Sequence, residues 1–271
     1  MARRGFYIAP AGGRHGEKTP NIKQRKSNKM NYKIVTVSNR FPTEWYYLTK
    51  QFFESVKGYN GLLVDYSAFE GWKGLATKPK WLYRAIKEGN IPEKYMIFSD
   101  SWDLVFCATP EEILERYKSF DSDIVISSER NCFPADLKEH FDSLNPPTPY
   151  KYLNSGFIVG KTEAILACLE AMDLPNVKDD YHCEERGCAI HSNDQHLWQI
   201  IFEKQPVKIA LDYYQSLSQT LHDVSIDEFD LSGERIRNKI TNSTPCSLHF
   251  NGGSKDRMEL REPLLKYLNL I

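Results

Sequence analysis

Two short segments, far apart in the chain, carry residue types suited to holding a divalent cation. The first is Asp100-Ser-Trp-Asp103, which directly follows the apolar run Tyr95 to Phe98. Two carboxylates at this spacing offer the hard oxygen ligands that Mg²⁺ or Mn²⁺ prefers. A cation held there can bridge a nucleotide diphosphate and offset charge as the phosphate leaves. Because this spacing is common by chance, a solvated surface turn is the alternative interpretation.

The second segment, Leu248 to Lys255, places a histidine and an asparagine before two glycines and a lysine. The imidazole of His249 can complete a manganese shell. Glycines such as Gly252, which follows Asn251, let backbone N–H groups approach phosphate oxygens, and Lys255 supplies positive charge. Taken singly, His249 is more readily explained as an ordinary hydrogen-bonded histidine.

Polar residues also interrupt two otherwise apolar elements. The group Asn154-Ser-Gly156 lies inside the apolar run Tyr152 to Gly160, which costs stability unless a ligand approaches, and a β-bulge is the alternative. Asn193 and Asp194 precede a segment of helical period, so either residue is a candidate N-cap. Capping and substrate binding are compatible, and both interpretations stay open.

The segment from His182 to His191 contains histidines and cysteines but lacks the Cys-x-x-Cys spacing of structural zinc. A loop is favoured, and a disulfide between Cys183 and Cys188 is left open. A non-haem iron site at His182-x-Glu184 lacks a supporting strand context.

The elements that must position these residues alternate between strand and helix patterns from Tyr32 onward. Runs of β-branched residues predict strands, and apolar spacings of three and four predict helices. This alternation is typical of a mostly parallel sheet with helices on its faces. Ligands of open α/β sheets bind beyond the carboxyl ends of strands, which favours a site at Asp100 and Asp103.

The predicted strands span 33–37, 61–65, 95–99, 123–127, 152–160 and 207–211, and a short apolar run spans 104–108. The predicted helices span 43–56, 79–88, 161–172 and 194–203. One more helix begins at Thr109, which is a suitable N-cap for Pro110 at the first position, with Glu112 placed to close a capping box. From Gln215 to Ser247 the pattern is irregular.

The composition excludes several classes of protein. The 271 residues are 41% hydrophobic and 26% charged, which differs from disordered and collagenous chains. The six cysteines are too sparse for a disulfide scaffold. The sequence shows neither a membrane-spanning run nor a signal-peptide core, so a cytoplasmic setting, viral or microbial, is slightly favoured over the secretory pathway.

Residues 1–30 carry eight Lys or Arg against the single Glu17. We interpret them as a flexible basic tail and residues 31–271 as the folded domain. Attachment of the tail to nucleic acid or membrane is the alternative to a solvated extension. We favour the extension and expect no nucleic-acid partner.

Taken in order, these segments resemble the amino-terminal glycosyltransferase domain of the procollagen lysyl hydroxylases and, more distantly, the collagen galactosyltransferases. The resemblance spans most of residues 32 to 262. It is carried by Val35-Thr-Val-Ser38, Trp72-Lys-Gly74, Lys78-Pro-Lys-Trp81, Asp100-Ser-Trp-Asp103, Ser128 to Pro134, Tyr152 to Ile158, Asp194-Gln195, Leu211-Asp212, Gln219 and His249 to Gly252.

The resemblance implies an α/β fold of the GT-A type, a Rossmann-like nucleotide-binding sandwich with a mixed, mostly parallel sheet. It implies Mn²⁺ held by Asp100, Asp103 and His249, with a UDP-sugar as donor. The residues expected at the donor are Thr36, Ser38, Trp72, Lys78, Trp102, Asn251, Gly252 and Lys255. The catalytic candidates, facing the sugar or acceptor, are Asp194, Glu129 and Asn154.

The activity implied is transfer of a hexose, glucose rather than galactose, to hydroxylysine or galactosyl-hydroxylysine in collagen-like chains. Three departures from the family pattern are the short segment from Trp72 to Lys78, the aspartate run reduced to Ser192-Asn-Asp194, and Phe250 in place of a glycine. The first of them, the short segment from Trp72 to Lys78, motivates an alternative, a catalytically silent GT-A module that binds UDP or a collagen-like partner.

Overall fold

The computed structural model describes residues 31–38, 48–66, 70–177 and 193–271, apart from the side chains of Thr49 and Lys255. Several predictions lie outside the described residues. They are the basic tail, the first part of the helix predicted from residue 43, and the segment containing His182, Cys183 and Cys188.

The strands and helices predicted within the described residues are confirmed, with small shifts at their ends. The strands are β1 (Tyr32–Val37), β2 (Gly61–Val64), β3 (Tyr95–Ser99), β4 (Leu104–Phe106), β5 (Ile124–Glu129), β6 (Tyr152–Lys161), β7 (Ile209–Asp212), β8 (Gln219–Thr220), β9 (Phe229–Asp230), β10 (Arg237–Asn238) and β11 (Ser247–His249). The helices are α1 (Thr49–Ser55), α2 (Thr77–Lys87), α3 (Pro110–Lys118), α4 (Lys138–Ser143), α5 (Thr162–Ala171), α6 (Asp194–Lys204) and α7 (Met258–Tyr267).

The central sheet has six strands in the order β2-β1-β3-β6-β5-β7. Strand β6 is antiparallel to both of its neighbours, β3 and β5, whereas the other pairs are parallel. The mixed, mostly parallel sheet expected from the sequence is therefore confirmed. Its parallel strands end at one edge, where β3 leads into Asp100.

Helices cover both faces of this sheet because successive strand residues point to opposite sides. In β1, Val35 and Val37 join one buried cluster, while Ile34 joins another. Helices α2, α5 and α6 contribute to the first cluster, and α1 and α3 to the second. The alternation of apolar residues along β1 thus fixes which helices lie on which face.

The start of α3 matches its predicted cap only in part. Thr109 Oγ1 accepts a hydrogen bond of 3.2 Å from the backbone N–H of Glu112. The Glu112 carboxylate, predicted to close a capping box, instead pairs with the guanidinium groups of Arg116 and Arg235. That part of the prediction is wrong because two cations compete for the carboxylate.

A smaller sheet, β4-β11-β8, packs against α7. Phe250, Leu260 and Leu264 are all fully buried in the cluster between them. Helix α7 was not predicted, since Pro263 lies inside it. None of the helices in the described ranges combines the length and the apolar character needed to cross a bilayer.

Candidate active site

The two sheets meet at the segment from Asp100 to Asp103. Asp100 directly follows β3, and Asp103 directly precedes β4. Strand β11 pairs antiparallel with β4, so His249 lies opposite Leu104, and the N–H of Phe250 donates to the carbonyl of Asp103 at 2.6 Å. The strand pairing therefore brings a histidine from the end of the chain beside both aspartates.

Asp100, Asp103 and His249 form a cluster whose candidate ligand atoms all lie within 4.8 Å of one another. His249 Nε2 lies 3.3 Å from Asp103 Oδ1 and 3.9 Å from Asp100 Oδ2. Two carboxylates and an imidazole are a donor set that suits Mn²⁺. Nδ1 of His249 is buried and lacks a hydrogen-bond partner among the described residues.

The cluster attracts positive charge. Burial lowers the pKa of His249, but the neighbouring Asp103 and Asp100 outweigh that effect and raise the pKa above its usual value. The same negative field favours a bound cation.

The backbone of β6 lies directly against the His249 ring at Gly156. Its pairing with β5 shifts register between Ile126 and Ser127, because Ile126 pairs with Ile158 and Ser127 with Asn154. The displaced stretch contains Gly156, whose carbonyl accepts a hydrogen bond from Asp100 N at 2.9 Å. A Cβ on Gly156 would lie 2.1 Å from His249 Cε1. The bulge interpretation is confirmed, and the absence of a side chain at Gly156 also makes room for the His249 ring.

The Gly156→Ala variant is expected to bind Mn²⁺ about 10- to 100-fold more weakly, because the added methyl group displaces the imidazole ring from the two aspartates. Isothermal titration of the purified variant with MnCl₂ measures this loss. Gly233→Ala is the matched control, since its Cβ would lie 3.9 Å from the nearest atom, the Arg235 carbonyl oxygen. Equal Mn²⁺ affinity in the two variants would contradict the close approach.

Lys78, on α2, connects the cluster to α6. Its Nζ lies 2.9 Å from Asp100 Oδ1 and 2.7 Å from Asp194 Oδ2. Burial lowers the pKa of Lys78, but Asp100 and Asp194 together raise it above its usual value, so the ammonium stays charged. Lys78 thereby links a candidate metal ligand to a candidate catalytic residue.

The start of α6 settles which residue caps the helix. Asn193 Oδ1 accepts hydrogen bonds from the backbone N–H groups of Gln195, at 2.9 Å, and His196, at 3.4 Å. Because Asn193 is the N-cap, the Asp194 carboxylate is directed to the site, where it also accepts a bond of 3.0 Å from Ser155 Oγ.

Glu129, at the end of β5, is the centre of a buried amide network. Asn154 and Gln195 donate to its Oε1 at 2.9 and 3.0 Å, and Asn251 donates to its Oε2 at 2.8 Å. Gln195 also accepts a bond of 3.2 Å from Ser155 N. The sequence prediction missed Gln195 and Ser155 as members of the site, although both lie in segments that it had singled out.

Burial raises the pKa of Glu129, against the hydrogen bonds from Asn154 and Gln195 that lower it. A carboxyl with a raised folded-state pKa stabilises the fold below its unfolded pKa, about 4.3, and loses that contribution as pH rises through the folded value. We therefore expect the unfolding free energy of the wild type to fall relative to Glu129→Gln between pH 4 and pH 8. Urea unfolding of both proteins across this range measures the difference, and a flat difference would contradict the buried carboxyl.

The residues predicted to bind the donor have varied contacts. Trp102 Nε1 donates to Ser38 Oγ at 3.1 Å, which fixes the indole against the end of β1. Thr36 Oγ1 is buried without a hydrogen-bond partner in the described part of the chain. The Trp72 ring packs edge-on against Trp81, with centroids 5.6 Å apart, so its packing alone accounts for an aromatic residue there.

The glycine turn after His249 makes contacts of its own. Gly252 has a φ of +58°, and a Cβ there would lie 2.4 Å from His222 Nδ1. The Gly253 N–H donates to the same nitrogen at 3.3 Å. His222 is therefore a neighbour of this turn that the sequence prediction did not include.

Comparison with known proteins identifies related chains. The family model of the PLOD GT domain matches residues 65–269. An uncharacterized protein of Acanthamoeba polyphaga mimivirus is 33% identical over 60% of this chain and 32% of its own length. The procollagen-lysine,2-oxoglutarate 5-dioxygenase of Drosophila melanogaster is 26% identical over 82% of this chain and 31% of its own.

The rat multifunctional procollagen lysine hydroxylase and glycosyltransferase LH3 is 25% identical over 82% of this chain and 30% of its own. The chain thus spans about a third of the length of these curated relatives. Among solved structures, a glycosyltransferase involved in the glycosylation of the major capsid of PBCV-1 superposes with a TM-score of 0.50 at 15% identity. That match covers 89% of this chain and 100% of the other, and the GT-A-type fold is confirmed.

Proposed function

Because this chain belongs to the PLOD GT domain family, we propose that it is a metal-dependent glycosyltransferase with a UDP-hexose as donor. The observation that carries the proposal is the cluster of Asp100, Asp103 and His249 at the carboxyl edge of a GT-A-type sheet. The acceptor proposed is hydroxylysine or galactosyl-hydroxylysine in a collagen-like chain, and glucose is favoured over galactose.

Asp100, Asp103 and His249 would hold Mn²⁺, which supplies positive charge to the diphosphate as it leaves. Since His249 is only 2% exposed, the buried imidazole fixes one side of the site. The side chains of Asp100 and Asp103 are 23% and 16% exposed, so both carboxylates remain open to a ligand from solvent. This difference suits a site that anchors a cation on one side and receives a phosphate on the other.

Trp102 is proposed to stack on the uracil base. A hydrogen bond to Ser38 Oγ positions its indole. Its backbone is held separately, since the Trp102 carbonyl accepts a hydrogen bond from Leu48 N at 3.0 Å. Stacking of a base on an aromatic ring contributes about 1–3 kcal/mol. The Thr36 hydroxyl, which is unpartnered among the described residues, is proposed to offer the donor a hydrogen-bonding group.

Asp194 is proposed to orient the acceptor hydroxyl or to accept its proton. The Ser155 hydroxyl and the Lys78 ammonium hold one of its oxygens, Oδ2, at 3.0 and 2.7 Å. A carboxylate held at a fixed position can lower the barrier to proton transfer by general base catalysis. Glu129 and Asn154, which are bonded to each other, support the same side of the site.

The test is UDP release by the purified chain with Mn²⁺, with UDP-glucose and UDP-galactose offered in turn. Each donor is tested with and without a hydroxylysine peptide and a galactosyl-hydroxylysine peptide, and again after removal of metal with EDTA. We expect acceptor-stimulated release from UDP-glucose that EDTA abolishes. Release that is insensitive to EDTA, or equal with and without acceptor for every donor, would contradict the proposal.

The second candidate is a silent GT-A module that binds UDP or a collagen-like partner. It is favoured by the short segment from Trp72 to Lys78, in which Trp72 packs on Trp81 and Lys78 is held by two carboxylates. Calorimetric binding of UDP that requires Mn²⁺, without release from either UDP-sugar, would select this function.

A further inference from the structure

Cys107 and Cys246 lie opposite each other, directly beyond the last residue pair of β4 and β11. His249, a candidate metal ligand, belongs to the same strand pair. Phe106 of β4 pairs with Ser247 of β11, so the next antiparallel pair is Cys107 with Cys246. The Cys107 N–H donates to the Cys246 carbonyl at 2.8 Å. Residues directly opposite in such a pair project their side chains from the same face, with Cα atoms about 5.5 Å apart.

The contacts of the Cys107 thiol agree with this placement. Cys107 Sγ donates to the carbonyl of Pro245 at 3.2 Å, so the thiol is directed toward the strand that carries Cys246. Burial raises the pKa of both thiols to about 12, and the neighbouring Cys246 adds to the shift at Cys107. Cys107 is half-buried and Cys246 is fully buried, so a reagent from solvent reaches Cys107 first.

We propose that Cys107 and Cys246 are a redox pair that closes into a cross-strand disulfide between β4 and β11. The Cα separation expected for their position falls inside the range of about 4.4–6.8 Å that disulfides occupy. The pairing therefore needs rotation of side chains rather than movement of either strand.

The oxidant is a small-molecule disulfide, and the electrons balance in two exchanges. The Cys107 thiolate attacks one sulfur of the small disulfide, forms a mixed disulfide and releases one small thiolate. Deprotonated Cys246 then attacks the Cys107 sulfur and releases the second small thiolate. Two electrons pass from the cysteine pair to the small disulfide, and the two thiol protons end on the released thiols.

Two cations stand beside this pair and assist the thiolate form. Arg235 Nη2 donates to the carbonyl of Pro245 at 3.1 Å, and Arg116 Nη1 donates to the carbonyl of Thr244 at 2.5 Å. Both guanidinium groups lower the pKa of Cys107, against the larger effect of burial. Their positive charge stabilises the nucleophile that each exchange requires.

The disulfide would fix the register of β4 on β11. That register places Asp103 against Phe250 and His249 opposite Leu104. A bond between positions 107 and 246 also closes a long loop in the unfolded chain, which raises the stability of the folded state relative to it. The oxidation state of the pair would thus control how firmly the site is held.

The experiment uses the full chain, fully reduced and then incubated folded with oxidised glutathione at pH 8.5. Digestion without reductant, followed by mass spectrometry, identifies linked peptides. We expect a Cys107–Cys246 peptide, and we expect the melting temperature of the oxidised protein to rise by about 5 °C or more. Cys107→Ala is expected to abolish both results, whereas the control Cys168→Ala, on α5, is expected to leave both unchanged.

Peptide mapping of the wild type does not depend on any variant, so a variant that fails to fold leaves the test intact. A second arm refolds the reduced chain from urea in the same glutathione buffer, which exposes both thiols before the strands pair. The proposal is overturned if neither arm yields the Cys107–Cys246 peptide, or if Cys107 links to a different cysteine. A linked peptide in either arm supports it.

Discussion

The Asp103→Asn variant is expected to remain folded and to lose about a thousandfold in kcat for UDP-hexose-dependent transfer. Asp103 Oδ1 lies 3.3 Å from His249 Nε2, and replacing the carboxylate by an amide removes one negative charge from the cluster. The weakened site would hold Mn²⁺ less tightly, so the charge on a departing diphosphate would be offset less well. Steady-state UDP release at saturating donor, together with Mn²⁺ titration by electron paramagnetic resonance, measures both effects.

The matched control for this prediction is Asp121→Asn, which removes a carboxylate whose side chain is 97% exposed. That variant is expected to keep wild-type turnover and Mn²⁺ affinity, since Asp121 pairs only with Lys208 among the contacts described. Asp103→Asn protein that binds Mn²⁺ as tightly as Asp121→Asn protein would remove Asp103 from the ligand set.

The Asp194→Asn variant is expected to lower kcat by about 100- to 1,000-fold with little change in the KM for the donor. An amide retains a hydrogen bond with Ser155 but cannot accept the acceptor's proton. Lys78 keeps its pairing with Asp100, at 2.9 Å, so the charged lysine is not left without a carboxylate. Turnover with and without the acceptor peptide separates transfer from donor hydrolysis.

Asn193→Ala is the control for that change, because Asn193 caps the same helix one residue earlier. Loss of the cap is expected to lower the free energy of unfolding by about 1 kcal/mol while kcat stays near the wild-type value. If Asp194→Asn matched Asn193→Ala in both stability and kcat, Asp194 would have a structural role alone.

Local patterns predicted most of the fold. The alternation of apolar residues in β1 and the Thr109-Pro110 start of α3 are determined by neighbours in sequence, and both were found. The position of β6 between β3 and β5 depends on pairing across long sequence separations, which no local pattern encodes. Helix α7 was missed because Pro263 interrupts a segment whose Leu260 and Leu264 are spaced for a helix.

The candidate site was also predicted where local patterns sufficed and missed where distant contacts decide. Asp100 and Asp103 were found from their place after a strand, and the structure brings His249 to them as expected. Sequence alone left the cap of α6 undecided, since choosing Asn193 over Asp194 requires knowing that Lys78 and Ser155 lie nearby. Gln195 was missed for the same reason, because its partner Glu129 belongs to β5, 66 residues earlier in the chain.

The small sheet has a consequence for the order of folding. Strand β11 is the middle strand of β4-β11-β8, although it is the last of the described strands along the chain. During synthesis, β4 and β8 are therefore made before the strand with which both of them pair. Such long-range pairing forms slowly. Asp103 and His249 meet only when β11 inserts. Capture of a metal ion would then report that β11 has paired with β4.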